Sequence, residues 1–304
     1  MSNPIKQHYV PQTYLKHFSY EAKDPYKLFL LRKKERKICA NSAEKIAVER
    51  HFYTVKDQED EYAWEKYYAE NVEPLMDGVI TKILSVCSSA LLQNHSTILT
   101  PELKEQLARI MTFQLIRGKQ AREFEKSIYE EEFSSLIKKS RVFGPHNQKD
   151  EEKLEEYKND EDKFKQVVME ITLNEKRIKM YTKILMQRSF VVYKIAGDKD
   201  FVTSDNPVML IDSSTLDATP FRNGVAQRST VALYPLSPKV VIAAYHPEYF
   251  MGGLVDYDGK YVLLNSNINF RFIENHNKKQ FEQCFDQLYA RSKETLEEIC
   301  CLDG

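Results

Sequence analysis

The period of the apolar residues changes from helical to strand-like near residue 188, and that change restricts the fold more than any other feature. Before it, Leu103, Leu107, Ile110, Gln114, Arg117, Ala121, Phe124 and Ile128 recur in alternating steps of four and three, the spacing of one face of an α-helix. After it come the short runs SFVVYKI, FVTS, VMLI, STVALYPLS, KVVIAAY and KYVLLN. They are rich in β-branched and aromatic residues and are separated by turn formers, as strands are. A chain that groups its helices and strands in blocks, instead of alternating them, builds an α+β fold. The expected architecture is therefore α+β: a helical middle segment packed with a mainly antiparallel sheet, closed by a C-terminal helix.

The 304 residues suffice for one large core, and the chain reads as a single domain, 1–304, with three subregions. These are an N-terminal α/β segment (1–58), a helical segment (59–188) and a β-rich segment with the terminal helix (189–304). In the first, VPQTYL predicts a short helix entered at Pro11. KLFLLR predicts a strand, and the KKERK after it a hairpin tip before Ile38. In the second, Val72, Leu75, Val79 and Ile83 mark a helix from about Glu61, with Pro74 either kinking it or marking its true start. Thr100 caps the next helix, Pro101 takes its first position and Glu102 suits its positive end. The unbroken stripe predicts that this helix runs through Ile128. Residues 145–165 are charged and poor in apolar groups, a solvated connection or helix extension. A further helix is expected over 164–186. In the third subregion Gly197-Asp198 predicts a hairpin joining SFVVYKI to FVTS, and Asp258-Gly259 a tight turn. LYPLSPKVV reads as a strand bent at a sheet edge. Asn275 to Ile299 predicts one amphipathic helix with Phe281, Phe285, Leu288 and Leu296 on its apolar face.

Charge and motif content exclude several function classes. Lys and Arg number 44 against 45 Asp and Glu, so no global field draws the chain to nucleic acid or membrane, although a local basic groove remains compatible with that balance. No apolar run reaches bilayer-spanning length, and the polar N-terminus has no signal-peptide apolar region. The five cysteines are odd in number and scattered, without CxxC spacing, so neither a zinc site nor a disulfide framework is expected, and a reducing cytoplasm is. GxGxxG, phosphate-cradling and HExxH patterns are absent from the sequence.

Three segments carry polar groups where the pattern asks for apolar ones. Gln114 and Arg117 interrupt the helical stripe. A buried arginine costs several kcal/mol unless it is paired, so either the stripe drifts and Arg117 snorkels to water, or both side chains enter an internal polar cleft. In FVTSDNPVML, Thr203, Ser204, Asp205 and Asn206 leave a strand together. Asp-Asn-Pro is good turn chemistry in its own right, and a strand end is also where site residues are presented. HYVPQ sets His8, Tyr9 and Gln12 around a helix start, where unpaired N–H groups suit anions. Glu65, Glu70 and Glu73 fall near tyrosines on one helix; such glutamates ordinarily form a solvated face, and at most one is expected in a site.

QHYVPQTYLKHF, FQLIRGKQAR, FVTSDNPV and LYPLSPKVV, in that order over almost the whole chain, resemble an uncharacterised family of bacterial, archaeal and phage-associated proteins that carries the N-terminal His-Tyr-Val-Pro-Gln signature. In that family the long helix usually reads Gln-x-x-Arg-Thr and a strand ends in Thr-Ser-Asp-Asn-Pro. Here Gln114 and Arg117 match with Gly118 in place of threonine, and Thr203 to Pro207 match fully. The resemblance implies no activity. It does imply that His8, Gln114, Arg117 and Asp205 are signature positions.

The expected site is a cleft with HYVPQ as one wall and the Gln114/Arg117 helix and the SDNP turn as the others. The leading expectation is a cytoplasmic phosphodiester hydrolase, a nuclease acting on RNA or DNA in a defence or toxin setting. His8 would transfer the proton, Arg117 would clamp phosphate, and Asp205 would orient His8 or hold a divalent ion such as Mg²⁺. Tyr9, Gln12, Gln114, Ser204 and Asn206 would bind substrate. The rival expectations are a non-catalytic ligand- or partner-binding module using the same cleft, and a buried polar network that only fixes the fold.

Overall fold

Strands from the N-terminal and C-terminal thirds of the chain meet in one four-stranded sheet, and the middle third supplies most of the helical residues. The computed structural model describes residues 5–56, 59–143, 152, 160–219, 222–264 and 268–301. A hairpin of β2 (Lys27–Arg32) and β3 (Lys37–Ser42) turns through KKERK, where Arg36 takes the left-handed conformation at φ 52°. It joins β6 (Thr203–Ser204) and β11 (Gln287–Ala290) in a sheet of order β3-β2-β11-β6. A larger sheet contains β5 (Ser189–Ile195), β7 (Met209–Asp212), β8 (Thr230–Ser237), β9 (Val240–Tyr245) and β10 (Tyr261–Leu264) in the order β10-β5-β9-β8-β7. Its pairs are antiparallel except β10 on β5. The short β1 (Lys6–His8) pairs with β4 (Val48–Arg50).

The helices are α1 (Gln12–Leu15), α2 (Ala63–Tyr67), α3 (Glu73–Cys87), α4 (Pro101–Arg117), α5 (Lys119–Phe143), α6 (Glu161–Thr172), α7 (Glu175–Met186), α8 (Ile268–Gln283) and α9 (Lys293–Cys301). The fold is α+β with a C-terminal helix, as the change of period implies. Alternate residues along β8 and β9 face opposite sides. Tyr234 and Ile242 enter the largest apolar cluster with Tyr9, Leu28, Val79 and Leu107, whereas Leu233 and Val241 enter a second cluster with Phe201 and Ile273 from α8. Among the described residues no helix is long and apolar enough to cross a membrane, and all five cysteines are free.

Several expected boundaries move, each for a local reason. Pro11 is the N-cap of α1, not its first residue. Thr100 caps α4 by accepting from Leu103 N at 3.2 Å, but the stripe does not stay on one helix. Gly118 has an extended ψ of 168° that ends α4 and lets α5 start at Lys119. The helix expected over 164–186 is two, because the Asn174 side chain caps a new start at Lys176 and Arg177. The stretch 145–165 lies mostly outside the described residues. FVTS forms no hairpin with β5; its strand pairs with β11 in the other sheet. β8 lies inside the larger sheet, not at its edge, yet Pro235 sits past the end of β7, where Tyr14 Oη donates to its carbonyl at 2.7 Å.

The largest departure is at the C-terminus, where strand β11 divides the expected helix. Asp205 is the cause. Its carboxylate accepts from Phe285 N (2.8 Å), Asp286 N (2.7 Å) and Gln287 N (2.8 Å), donors that a continuing helix would have spent on its own carbonyls. The chain turns there, and Asp205 N donates to Gln287 O to start the β6–β11 ladder. Leu288 is buried on that strand and Phe285 is exposed. Upstream, Asn277, Gln280 and Gln283 form a buried amide row on α8. They take up Val202 N, Asp200 O, Asn206 O and Val208 O, hydrogen-bonding along a segment that has no strand on that side.

Asp205→Ala therefore leaves three main-chain N–H groups without their acceptor. It is expected to destabilise the fold by about 2–4 kcal/mol, since each orphaned buried donor costs roughly 1 kcal/mol or more. Chemical denaturation of this variant measures the loss, and an unchanged midpoint would show that the turn at 284–287 does not depend on the carboxylate.

Candidate functional site

Arg117 is the last residue of α4, where its charge suits the negative helix end, and it is 2% exposed. Its Nη2 donates to His8 O at 2.7 Å and to Glu73 Oε1 at 3.2 Å, and its Nε donates to Tyr53 Oη at 3.2 Å. The guanidinium also lies 4.3 Å from the centre of the Tyr68 ring. Burial alone would lower its pKa, but Tyr53, Glu73 and Tyr68 more than offset that and keep it charged. The stripe does not drift to water: Arg117 and Gln114 both point inward.

A second buried arginine shows what a saturated structural one looks like. Arg188 spends Nε, Nη1 and Nη2 on the carbonyls of Val225, Gln227, Thr230 and Ala244. Arg117, in contrast, leaves Nη1 buried without a partner. Gln114, one turn back on the same face and 1% exposed, has neither amide atom hydrogen-bonded, and His8 Nε2 is likewise buried and unpaired. Tyr68 Oη and Thr13 Oγ1 share that state on neighbouring elements. Buried polar groups are nearly always satisfied, and each exception calls for a cause. Unpaired buried atoms also occur elsewhere, at His276 Nε2 and Gln280 Oε1, but around Arg117 they gather on His8, Gln114 and Arg117 together.

Two carboxylates face the same guanidinium. The chain between α2 and α3 forms a π-helical turn, Tyr68–Val72, a feature common at functional sites. It sets Glu65 before the turn and Glu73 after it. Burial pushes the Glu65 carboxyl up to about 7, with the Arg117 charge opposing and the Glu73 charge reinforcing. Burial lowers the His8 pKa below its ordinary value, against the pull of Glu73. The site thus combines a histidine held neutral, a carboxyl that keeps its proton near neutrality and a cation with one open edge. Such separated titrations suit acid–base work.

His8, Gln114 and Arg117 are brought together, and two of the three helix glutamates lie within the field of Arg117. The SDNP turn stands behind them with its polar groups spent elsewhere. Thr203 Oγ1 bonds Tyr14 Oη at 2.6 Å, Ser204 Oγ accepts from Gln280 Nε2, and Asn206 Nδ2 donates to Gln120 Oε1. Asp205 is 3% exposed and held by the three amides; burial raises it to about 6 against those bonds. Both of its oxygens accept main-chain amides, so its bonds are those of the 285–287 turn. Among the described residues no group of three or more His, Cys, Asp or Glu side chains is arranged to hold a metal. Tyr9 is buried against Phe52, under the Lys119 ammonium and within the field of Asp205. Gln12 opens α1, half-buried. A threonine in place of Gly118 would fit: φ is −78°, and the nearest atom to an added Cβ is Asp205 O at 3.8 Å.

The sequence did not single out Tyr53 and Tyr68. Tyrosine runs through this chain, and only their contacts with Arg117, through hydroxyl and ring for Tyr53 and through the ring for Tyr68, distinguish these two.

The family described as "Protein of unknown function (DUF4238)" matches residues 6–294, and the chain belongs to it. No curated protein and no solved structure matches the chain.

Two substitutions separate the paired half of the site from the open half. Arg117→Met strips Glu73 and Tyr53 of their cation and is expected to cost about 3–5 kcal/mol. Gln114→Met replaces an amide that makes no bond with an apolar group of similar shape and is expected to stabilise the free protein, by about 1–2 kcal/mol. Urea midpoints of the two variants read both effects, and a Gln114→Met protein less stable than wild type would show that the amide is satisfied.

Proposed function

We propose that the chain is a phosphodiester hydrolase with RNA or DNA as its substrate class, acting at the site built on His8, Gln114 and Arg117. The observation that carries this reading is the buried edge of Arg117, left open beside an unpaired His8 Nε2. A guanidinium freed from water on one side holds non-bridging phosphate oxygens strongly and needs little reorganisation as their charge grows.

In this reading water attacks phosphorus while neutral His8 accepts its proton through Nε2. The P–O bond to the leaving oxygen breaks, and Glu65, still carrying its proton near neutral pH, gives that proton to the departing alkoxide. The products are a phosphate monoester and an alcohol. Arg117 holds the charge of the transition state, and Glu73, bonded to the other side of the guanidinium, keeps it aimed. Asp205 supports the fold and takes no part in the chemistry.

Charge favours a second reading, in which the same site binds a small ligand without cleaving it. A neighbouring cleft of about 440 Å³, bounded by Thr54 and Arg122 and not by His8, Gln114 or Arg117, is lined by five Lys or Arg residues against four acidic ones, and the whole chain has net charge −1. Neither supplies the field that usually steers a polyanion.

Purified protein incubated with total RNA, plasmid and single-stranded DNA, with and without Mg²⁺ or Mn²⁺, separates the two. Cleavage is expected, with His8→Ala reduced about 10²–10⁴-fold, the usual cost of losing a proton-transfer group. The rate should fall on the acid side as His8 gains its proton, and above about pH 7 as Glu65 loses its own. The alkaline limb should change in Glu65→Gln. If nothing is cut, or His8→Ala cuts as well as wild type, the binding reading replaces this one.

A further inference from the structure

Resting on that reading of the site, we infer that Gln114 recognises the donor–acceptor edge of a nucleobase on a ligand whose phosphate lies against Arg117. Gln114 is 1% exposed, and both ends of its amide are buried and unpaired. A carboxylate would satisfy only Nε2, and an ammonium only Oε1. A planar group offering a donor beside an acceptor satisfies both at once, in the two-pronged geometry by which carboxamide side chains read bases.

The placement of the two side chains supports this. Long side chains on a helix lean back over the preceding turn, so Arg117 lies over the turn that carries Gln114. Gln114 Oε1 is then the natural acceptor for Arg117 Nη1, yet both atoms remain unpaired. Two complementary groups one turn apart on the same helix face thus both keep unspent hydrogen-bonding capacity. The rings of Phe113 and Tyr68 meet edge to face beside the same helix turn, centroids 6.4 Å apart, with the Arg117 guanidinium over the Tyr68 ring. Anion contact and base contact fall on one side of one helix, three residues apart.

The test measures binding by the full-length protein, independently of cleavage. Inorganic phosphate, ribose 5-phosphate and the 5′-monophosphates of adenosine, guanosine, cytidine and uridine are titrated by calorimetry. At least one nucleotide is expected to bind tenfold or more tighter than ribose 5-phosphate, about the size of one bidentate base contact. Gln114→Met should bring that nucleotide down to the level of ribose 5-phosphate and change ribose 5-phosphate itself less than about twofold. Should Gln114→Met fail to fold, Gln114→Glu, which swaps the donor for a second acceptor, should abolish the same increment. The inference is overturned if no nucleotide exceeds ribose 5-phosphate, or if the variant weakens both ligands alike. Base-dependent binding without cleavage of any polynucleotide would retain the inference and remove the hydrolase reading. Cleavage with an unchanged base preference in Gln114→Met would do the reverse.

Discussion

A guanidinium buried at the end of α4 is the constraint around which this molecule is arranged. Removing a charge from water costs several kcal/mol unless partners replace the lost hydration, and Arg117 draws those partners from distant parts of the chain. His8 O comes from β1, Tyr53 from the loop after β4, Tyr68 from the π-helical turn and Glu73 from the start of α3. The cation thereby holds the N-terminal signature, the helix pair and α4 against one another. What distinguishes it from the equally buried Arg188 is that the arrangement is incomplete. Every nitrogen of Arg188 has its carbonyl, whereas one edge of Arg117 and the whole amide of Gln114 have no partner.

The pattern of the sequence carried a good part of this. The change of period near residue 188 marks the α+β class, because burial on one face of a helix or a strand must repeat at the period of that element. Gln114 and Arg117 stood out as polar residues on an apolar stripe, and inward burial is what that anomaly requires once the stripe does not drift. Element boundaries were less legible. Nothing in KQFEQCFDQLYARSKETLEE breaks a helical pattern locally. The break at residue 284 is imposed by the Asp205 carboxylate, 80 residues away in the chain, capturing the amides of 285–287. The split at Gly118 similarly depends on a backbone conformation that the stripe ignores.

The signature residues of this chain consequently divide into two kinds. Asp205, Ser204 and Asn206 spend their polar atoms on main chain and on amide side chains of α5 and α8, joining the smaller sheet to the helices around it. His8, Gln114 and Arg117 keep theirs open. A motif of turn-forming residues after a strand can serve either purpose, and hydrogen-bond satisfaction, which sequence spacing does not report, separates the two. The same distinction brings forward Glu65, whose raised pKa follows from half-burial beside Glu73. Its place in the sequence, near tyrosines on a helix with Glu70 and Glu73, made it one of three candidates and did not separate it from the other two.

If the open edge of Arg117 is an anion site, an anion can be observed there directly. Crystals of the protein soaked in orthovanadate or tungstate, mimics of phosphate, supply that observation. The oxyanion is expected within hydrogen-bond distance of Arg117 Nη1, on the side where His8 Nε2 is unpaired. An oxyanion found only on surface lysines, with Arg117 Nη1 bonded to a protein acceptor, would contradict it.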